Sequence, residues 1–152
     1  FLFEPGTFDE QALVIGQAGD LLKQGGIGLV ILDSATGLYR TRFEEGRDAI
    51  QGLAHQMLQL LGYAKRYDIP ALITNQVYIN TRTGVFTGLG GTALSHICKV
   101  IVRVDRLNGT RRAVLVKHRS RPADEWFDFV ITGDGTRSIT TVRAGIENIP
   151  SA

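Results

Sequence analysis

Gly28-Leu29-Val30-Ile31-Leu32-Asp33-Ser34 decides how the chain is read. Four apolar residues follow a glycine and run straight into one carboxylate. Bounded by Gly25-Gly26 before and polar residues after, so short an apolar run predicts a strand buried on both faces, of the kind found in parallel sheets flanked by helices. A carboxylate at the carboxyl end of such a strand sits where open α/β sheets bind ligands. The plain alternative is an aspartate that caps a turn.

Working outward, Phe1 to Glu4 reads as a strand broken by Pro5-Gly6, with Thr7 or Asp9 able to cap a following helix. That helix carries Phe8, Ala12, Ile15 and Leu22 on one stripe and ends at Gly25-Gly26. After the 28–34 strand, Ser34 to Glu45 is a polar connection. The clearest helix of the chain follows over Glu45 to Tyr67, with Ile50, Leu53, Ala54, Met57, Leu61 and Ala64 at helical spacing. Acids near its start and Lys65-Arg66 near its end suit the helix dipole. Ile69-Pro70-Ala71-Leu72-Ile73 is the next buried strand, delivering Thr74-Asn75-Gln76 to the same carboxyl edge as Asp33. The order so far is βαβαβ, which requires right-handed parallel crossovers.

Val77 to Gly91 is a long glycine-rich loop containing Arg82, and Thr92 to Ile97 is a short helix. Lys99 to Arg106 alternates, with Lys99, Ile101, Arg103 and Asp105 on one face and Val100, Val102 and Val104 on the other. Asn108-Gly109 is a hairpin signal, and Arg111 to His118 returns as the partner strand. Glu125 to Ile131 and Ser138 to Val142 add two strands around a Gly133-Asp134-Gly135 turn, and Ala144 to Ala152 reads as a tail. The expected fold is α/β: a parallel sheet flanked by helices, with an antiparallel hairpin at the C-terminal end, in one domain over 1–143.

The 152 residues are 43% hydrophobic and 21% charged, ordinary for a globular domain. No run approaches the roughly 18 apolar residues of a membrane span, and no charged run followed by an apolar one is seen at the start, so a signal peptide is not expected there. A single cysteine, Cys98, excludes an internal disulfide framework and fits a reducing cytoplasm; its apolar neighbours predict a buried structural thiol. His55 has no second ligand at a suitable spacing, so a metal site there is not expected. The first residue is Phe and already looks like strand, so the chain is expected to begin inside a domain of a longer protein.

Net charge is only +2, yet Lys99 to Arg121 holds eight Lys or Arg (Lys99, Arg103, Arg106, Arg111, Arg112, Lys117, Arg119, Arg121) against Asp105 alone. This asymmetry points to an anionic partner, or else to a solvated strand face. Lys117, Arg119 and Arg121 alternate and, if extended, point to one side. Tyr39, Phe43, Tyr78 and Phe86 are available to stack on bases or to plug the core.

Asp33 and Gln76 close consecutive parallel strands, so both are expected at one sheet edge, about one or two strand spacings of 4.8 Å apart. In P-loop ATPases an acid in the position of Asp33 is the Walker B aspartate. The amide of Gln76 cannot be a base but can hydrogen-bond a terminal phosphate or orient water.

Leu29-Val30-Ile31-Leu32-Asp33-Ser34, Tyr39-Arg40-Thr41-Arg42, Ile73-Thr74-Asn75-Gln76-Val77 and Gly90-Gly91 with Leu94-Ser95-His96, in this order, resemble the RecA/RadA recombinase core. Lys117-His118-Arg119-Ser120-Arg121-Pro122 with Phe129-Val130-Ile131-Thr132 resembles the archaeal RadB paralogues. The resemblance runs over residues 1 to 140. It implies a RecA-like P-loop NTPase core, truncated at the N-terminus, in a DNA-binding protein of homologous recombination and repair. By resemblance Asp33 is the Walker B acid holding Mg²⁺ through water, Gln76 is the switch amide, and Ser34 and Asn75 lie beside the nucleotide. Tyr39 to Arg47 matches the first DNA-binding loop, with Arg40, Arg42 and Arg47 toward DNA. Val77 to Gly88 matches the second, with Arg82, and Lys117, Arg119 and Arg121 add a basic cluster facing DNA or the ATP of a neighbouring subunit.

The implied cofactors are ATP and Mg²⁺ in the complete protein and none in this chain, because no G-x-x-x-x-G-K-[ST] occurs in it. The implied partners are single-stranded or branched DNA, a RadA-type recombinase or other repair protein, and further copies of the chain, with no membrane, in the cytoplasm at the nucleoid. Another RecA-fold ATPase, helicase or KaiC-like, and a non-catalytic interaction module are the alternatives.

Overall fold

A computed structural model describes residues 1–79, 86–88, 90–140 and 143, with backbone only at 43, 45, 78–79 and 86–88. The chain forms two compact units, Phe1–Ile97 and Cys98–Ala152.

In the first unit, α1 (Phe8–Gln24) starts at Thr7, whose side chain accepts the Glu10 N–H at 3.2 Å, while the Glu10 carboxylate accepts from the Gly6 N–H at 2.8 Å. One donor of the first turn and the amide that precedes the cap are thereby satisfied. Gly25, at φ 79°, ends the helix. Next come β1 (Val30–Leu32), a 3-10 helix over Tyr39–Glu45, α2 (Arg47–Tyr67) and β2 (Ala71–Ile73). β1 and β2 pair in parallel, Val30 opposite Ala71 and Leu32 opposite Ile73. An antiparallel pair, β3 (Val77–Ile79) with β4 (Phe86–Gly88), lies inside the stretch expected to be a plain loop, and α3 (Gly91–Ile97) closes the unit.

The core is Phe8, Ile15, Ala35, Tyr39, Ala49, Leu53, Met57, Leu60 and Leu94, with Val30, Leu32 and Ile73 packed against it. Buried within the α1–α2 contact is a polar pair. The Gln11 Nε2 donates to Gln56 Oε1 at 2.7 Å, and the Gln56 Nε2 donates to the Phe8 carbonyl at 3.3 Å.

Three expectations are corrected here. Phe1 to Glu4 is not a strand; Phe1 and Leu2 are 91% and 84% exposed. The 28–34 strand is not buried on both faces. Ile31 and its register partner Leu72 are 58% and 55% exposed, because the helices cover the Val30–Leu32 side and, among the described residues, β1 pairs with β2 alone. The buried stripe of α2 runs through Ala49, Leu53, Gln56, Met57 and Leu60, and Ile50 turns outward. Gln56 enters the core because Gln11 meets its amide; residue-type periodicity would assign it to the solvent face.

The second unit is a four-stranded antiparallel sheet in the order β5 (Ile101–Arg106), β6 (Arg111–Lys117), β7 (Trp126–Thr132), β8 (Gly135–Ser138). β5 and β6 meet around Asn108-Gly109, where Gly109 takes φ 76°, a value that favours glycine. The last strand is earlier than the expected 138–142, since Gly133-Asp134 already reverses the chain. The covered side of β5 carries Ile101, Arg103 and Asp105; Val100, Val102 and Val104 are half exposed. Polar side chains succeed on the covered side through pairing. Arg112 forms two hydrogen bonds to Asp128, at 2.7 and 3.0 Å, and its guanidinium stacks 3.6 Å from the centre of the buried Trp126 ring. Among the described residues no helix is long and apolar enough to cross a membrane.

Two outcomes follow from this packing. Gln56→Leu orphans the Gln11 amide and costs about 1–3 kcal/mol, whereas Gln11→Leu with Gln56→Leu recovers most of that loss in denaturant midpoints. The Arg112 hydrogen bond, ahead of its charge, holds the Asp128 carboxyl below its ordinary value. Its contribution is therefore complete above the unfolded carboxylate range, near pH 4, and is lost as pH falls through the lowered folded value. Asp128→Asn costs about 1–2 kcal/mol at pH 7, and the gap to the parent chain narrows in urea melts at pH 3.

Candidate functional site

The carboxyl ends of β1 and β2 carry the polar side chains singled out by the sequence. Backbone bonds extend the ladder past both strands: Thr74 N–H donates to the Leu32 carbonyl at 3.1 Å and Ala35 N–H to the Thr74 carbonyl at 3.0 Å. Asp33 therefore lies beside Thr74, whose hydroxyl donates to its Oδ1. The Asp33–Ser34 peptide is cis. Ser34 is half-buried in the turn that follows.

Thr36 is fully buried at this turn. Its hydroxyl lies 2.7 Å from Asn75 Oδ1, to which it donates, and accepts the Gln76 N–H at 3.4 Å. Gln76 is exposed, and its Oε1 accepts from Arg40 Nη1 at 3.1 Å. Asp33 and Gln76 thus sit on one sheet edge, linked through Thr74, Thr36 and Asn75 rather than to each other.

The 3-10 helix that bears Arg40 and Arg42 is anchored at both sides. Tyr39 is 2% exposed, its ring 6.0 Å from that of Phe8, and burial pushes its phenol up; it is a core plug. Arg42 pairs with Asp9 at 2.8 Å. Arg47, exposed, opens α2. Arg82 and the side chains of Phe43, Tyr78 and Phe86 lie outside what the structure describes.

In the second unit the basic cluster does not continue as an extended strand. Lys117 ends β6, and its Nζ donates to the Cys98 carbonyl at 2.9 Å. His118 then caps a turn: its Nδ1 accepts the Ser120 and Arg121 N–H groups, both at 3.1 Å. Two donors on Nδ1 fix the tautomer with the proton on Nε2. Arg119 is exposed, and Arg121 pairs with Glu125 at 2.9 Å. The half-buried Cys98 thiol is pushed up by desolvation, as suits a structural cysteine. Thr36 and His118 have site roles that the sequence did not disclose. Nothing distinguishes a buried Thr from a turn Thr, and His118 was read as the end of a strand and as part of a family motif.

A family model described as Rad51 matches residues 6–139. The chain belongs to the Rad51 family. It is similar to the DNA repair and recombination protein RadB of Methanoculleus marisnigri, 52% identical over 141 residues that cover 91% of this chain and 63% of that protein. The RadB of Archaeoglobus fulgidus is 39% identical over 122 residues, covering 78% and 55%. A solved structure described as the RadB recombinase superposes with a TM-score of 0.73 at 36% identity, covering 91% of this chain and 63% of that one. The fold is therefore the α/β, RecA-like core that the sequence motifs indicated. The chain spans less than two thirds of the length of these relatives.

Removing the turn cap has a measurable signature. His118→Ala speeds hydrogen exchange at the Ser120 and Arg121 amides about fivefold, the loss of roughly 1 kcal/mol of hydrogen bonding. Amide exchange followed by NMR reads it, with the β6–β7 amides as an unchanged internal reference.

Proposed function

We propose that the chain is the nucleic-acid-facing part of a RadB-like protein of homologous recombination and DNA repair, acting as a recombinase paralogue or mediator. ATP hydrolysis, weak, belongs to the complete protein. The observation that carries this reading is the rim itself: a carboxylate, two hydroxyls and two amides gathered at the carboxyl edge of a parallel strand pair, with an arginine-bearing segment bonded to the last amide. The similar RadB proteins of Methanoculleus marisnigri and Archaeoglobus fulgidus, which match 91% and 78% of this chain, point the same way.

Each group has a definable task. Asp33, exposed and accepting one hydroxyl, keeps acceptor capacity for the water shell of a divalent ion, so it fits Mg²⁺ held through water. When bound, the Mg²⁺–nucleotide would supply charge compensation at the phosphates. Gln76 can donate its amide N–H₂ to a terminal phosphate but cannot take a proton. Ser34 and Asn75 are the flanking nucleotide-side groups in this reading, with Asn75 fixed by Thr36. Without a glycine-rich phosphate loop and its lysine in its sequence, this chain binds no nucleotide tightly.

Arg40, Arg42 and Arg47 in the first unit, and Lys117, Arg119 and Arg121 in the second, are the phosphate contacts of this reading, with Arg82 alongside. Their intramolecular partners are mostly at the surface, where an ion pair contributes only about 0–1 kcal/mol, so a phosphate can displace them. A RadA-type recombinase and further copies of the chain are the protein partners proposed, in the cytoplasm at the nucleoid.

The 152-residue chain should bind fluorescein-labelled single-stranded DNA without nucleotide, and affinity should fall linearly on a log–log salt plot. Each phosphate-contacting cation replaced, Arg119→Ala for instance, lowers the magnitude of the slope by about 0.7. Anisotropy titrations at several salt concentrations measure this. Absence of binding at low salt, or affinity indifferent to salt, refutes the reading; Lys117→Glu, Arg119→Glu or Arg121→Glu leaving DNA binding intact assigns that cluster to a neighbouring subunit's nucleotide instead.

A further inference from the structure

Two arginines of the 3-10 helix are held by unlike acceptors. Arg42 meets a carboxylate, Asp9, at 2.8 Å, and Arg40 meets a neutral amide, Gln76 Oε1, at 3.1 Å. A guanidinium bonds a phosphate oxygen with opposite charges on the two partners, and so more strongly than it bonds the neutral oxygen of an amide. An arriving phosphodiester therefore takes Arg40 from Gln76 more readily than it takes Arg42 from Asp9. The backbones on either side do not need to move. Thr36 holds Asn75 and the Gln76 N–H from within, the Ala35 N–H bonds the Thr74 carbonyl, and Arg42 and the buried Tyr39 pin the helix bearing Arg40. What can change is confined to two exposed side chains.

We propose that Arg40 is a positioning residue shared between Gln76 and a DNA phosphate: it restrains the Gln76 amide when the segment is empty and releases it when the segment holds DNA. The inference rests on the DNA-binding reading above and deepens it. It makes the occupancy of residues 39–47 and the freedom of Gln76 one linked equilibrium. By reciprocity, anything that draws the Gln76 side chain away strengthens DNA binding. No loop closure or subunit contact is required for this linkage; a single hydrogen bond carries it.

The test is a double-mutant cycle on the 152-residue chain, titrating a fluorescein-labelled 20-nucleotide thymidine oligomer at low salt. Gln76→Ala removes the competing acceptor, so it should tighten binding about two- to tenfold, the value of one hydrogen bond. Arg40→Ala should weaken binding and flatten the salt slope. In the Arg40→Ala background, Gln76→Ala should change nothing. Gln76→Met, which keeps the stem and lacks the amide, must reproduce the gain, so an altered fold in one variant cannot decide the outcome. Gln76→Ala and Gln76→Met that leave affinity unchanged or weaken it, or an equal gain with and without Arg40, overturn the sharing of Arg40 while leaving the DNA-binding reading standing. A parent chain that does not bind the oligomer overturns both.

Discussion

The hydroxyl of Thr36 is the point on which the arrangement of the rim depends. It is fully buried, and a buried hydroxyl without a partner costs about 1–3 kcal/mol. The turn after β1 can close over the core, with Ala35 also at 0% exposure, only where Asn75 and the Gln76 N–H come to meet it. The backbone ladder that runs past both strands sets Asp33 beside Thr74, and satisfying this one hydroxyl then fixes Asn75 and Gln76 against the turn after β1. The apolar cluster of α1 and α2 supplies the free energy of burial; being non-directional, it could not select this register. The Gln11–Gln56 amide pair does the same work one layer away, between the helices that precede each strand.

The β1–β2 pair and the four-stranded sheet are each covered unequally. Ile31 and Leu72 lie outward across the β1–β2 pair, and Val100, Val102 and Val104 lie outward on β5. In the four-stranded sheet the side carrying Arg103 and Arg112 is the better covered one. Arg112 lies over Trp126 and its Nε and Nη2 donate to Asp128, so the charge is compensated and the guanidinium face contributes apolar contact. Alternation along a strand tells which residues share a face; which face is covered depends on pairing between strands, and that information is not local.

The same distinction explains what could be read from the sequence. Helix α1 was legible down to its cap, because Thr7 and Gly25 are local signals, and the β5–β6 hairpin was legible from Asn108-Gly109. The shared edge of Asp33 and Gln76 followed from two apolar runs joined by one helix. The Phe1–Glu4 strand failed since the apolar, aromatic run Phe1-Leu2-Phe3 has strand propensity but no partner strand among the described residues. The stripe of α2 was shifted because Gln56 counts as polar until Gln11, 45 residues away, is known to meet it. His118 was read as a strand end in a family motif and Arg40 as part of a loop facing DNA; their hydrogen-bond partners, two backbone amides and one side-chain amide, are contacts that composition does not encode.

The cations expected to meet an anionic partner differ in how firmly the chain already holds them. Arg42 and Arg121 face carboxylates, Lys117 a backbone carbonyl, Arg40 a side-chain amide. Exposed pairs of this kind contribute little to stability and are screened by salt, so their effect is on geometry. Each reduces the rotamer freedom that a long cationic side chain would otherwise lose on binding, up to about 2 kcal/mol for Lys or Arg. A cation held in this way can change partners at low entropic cost, the more readily the less charged the acceptor it must leave.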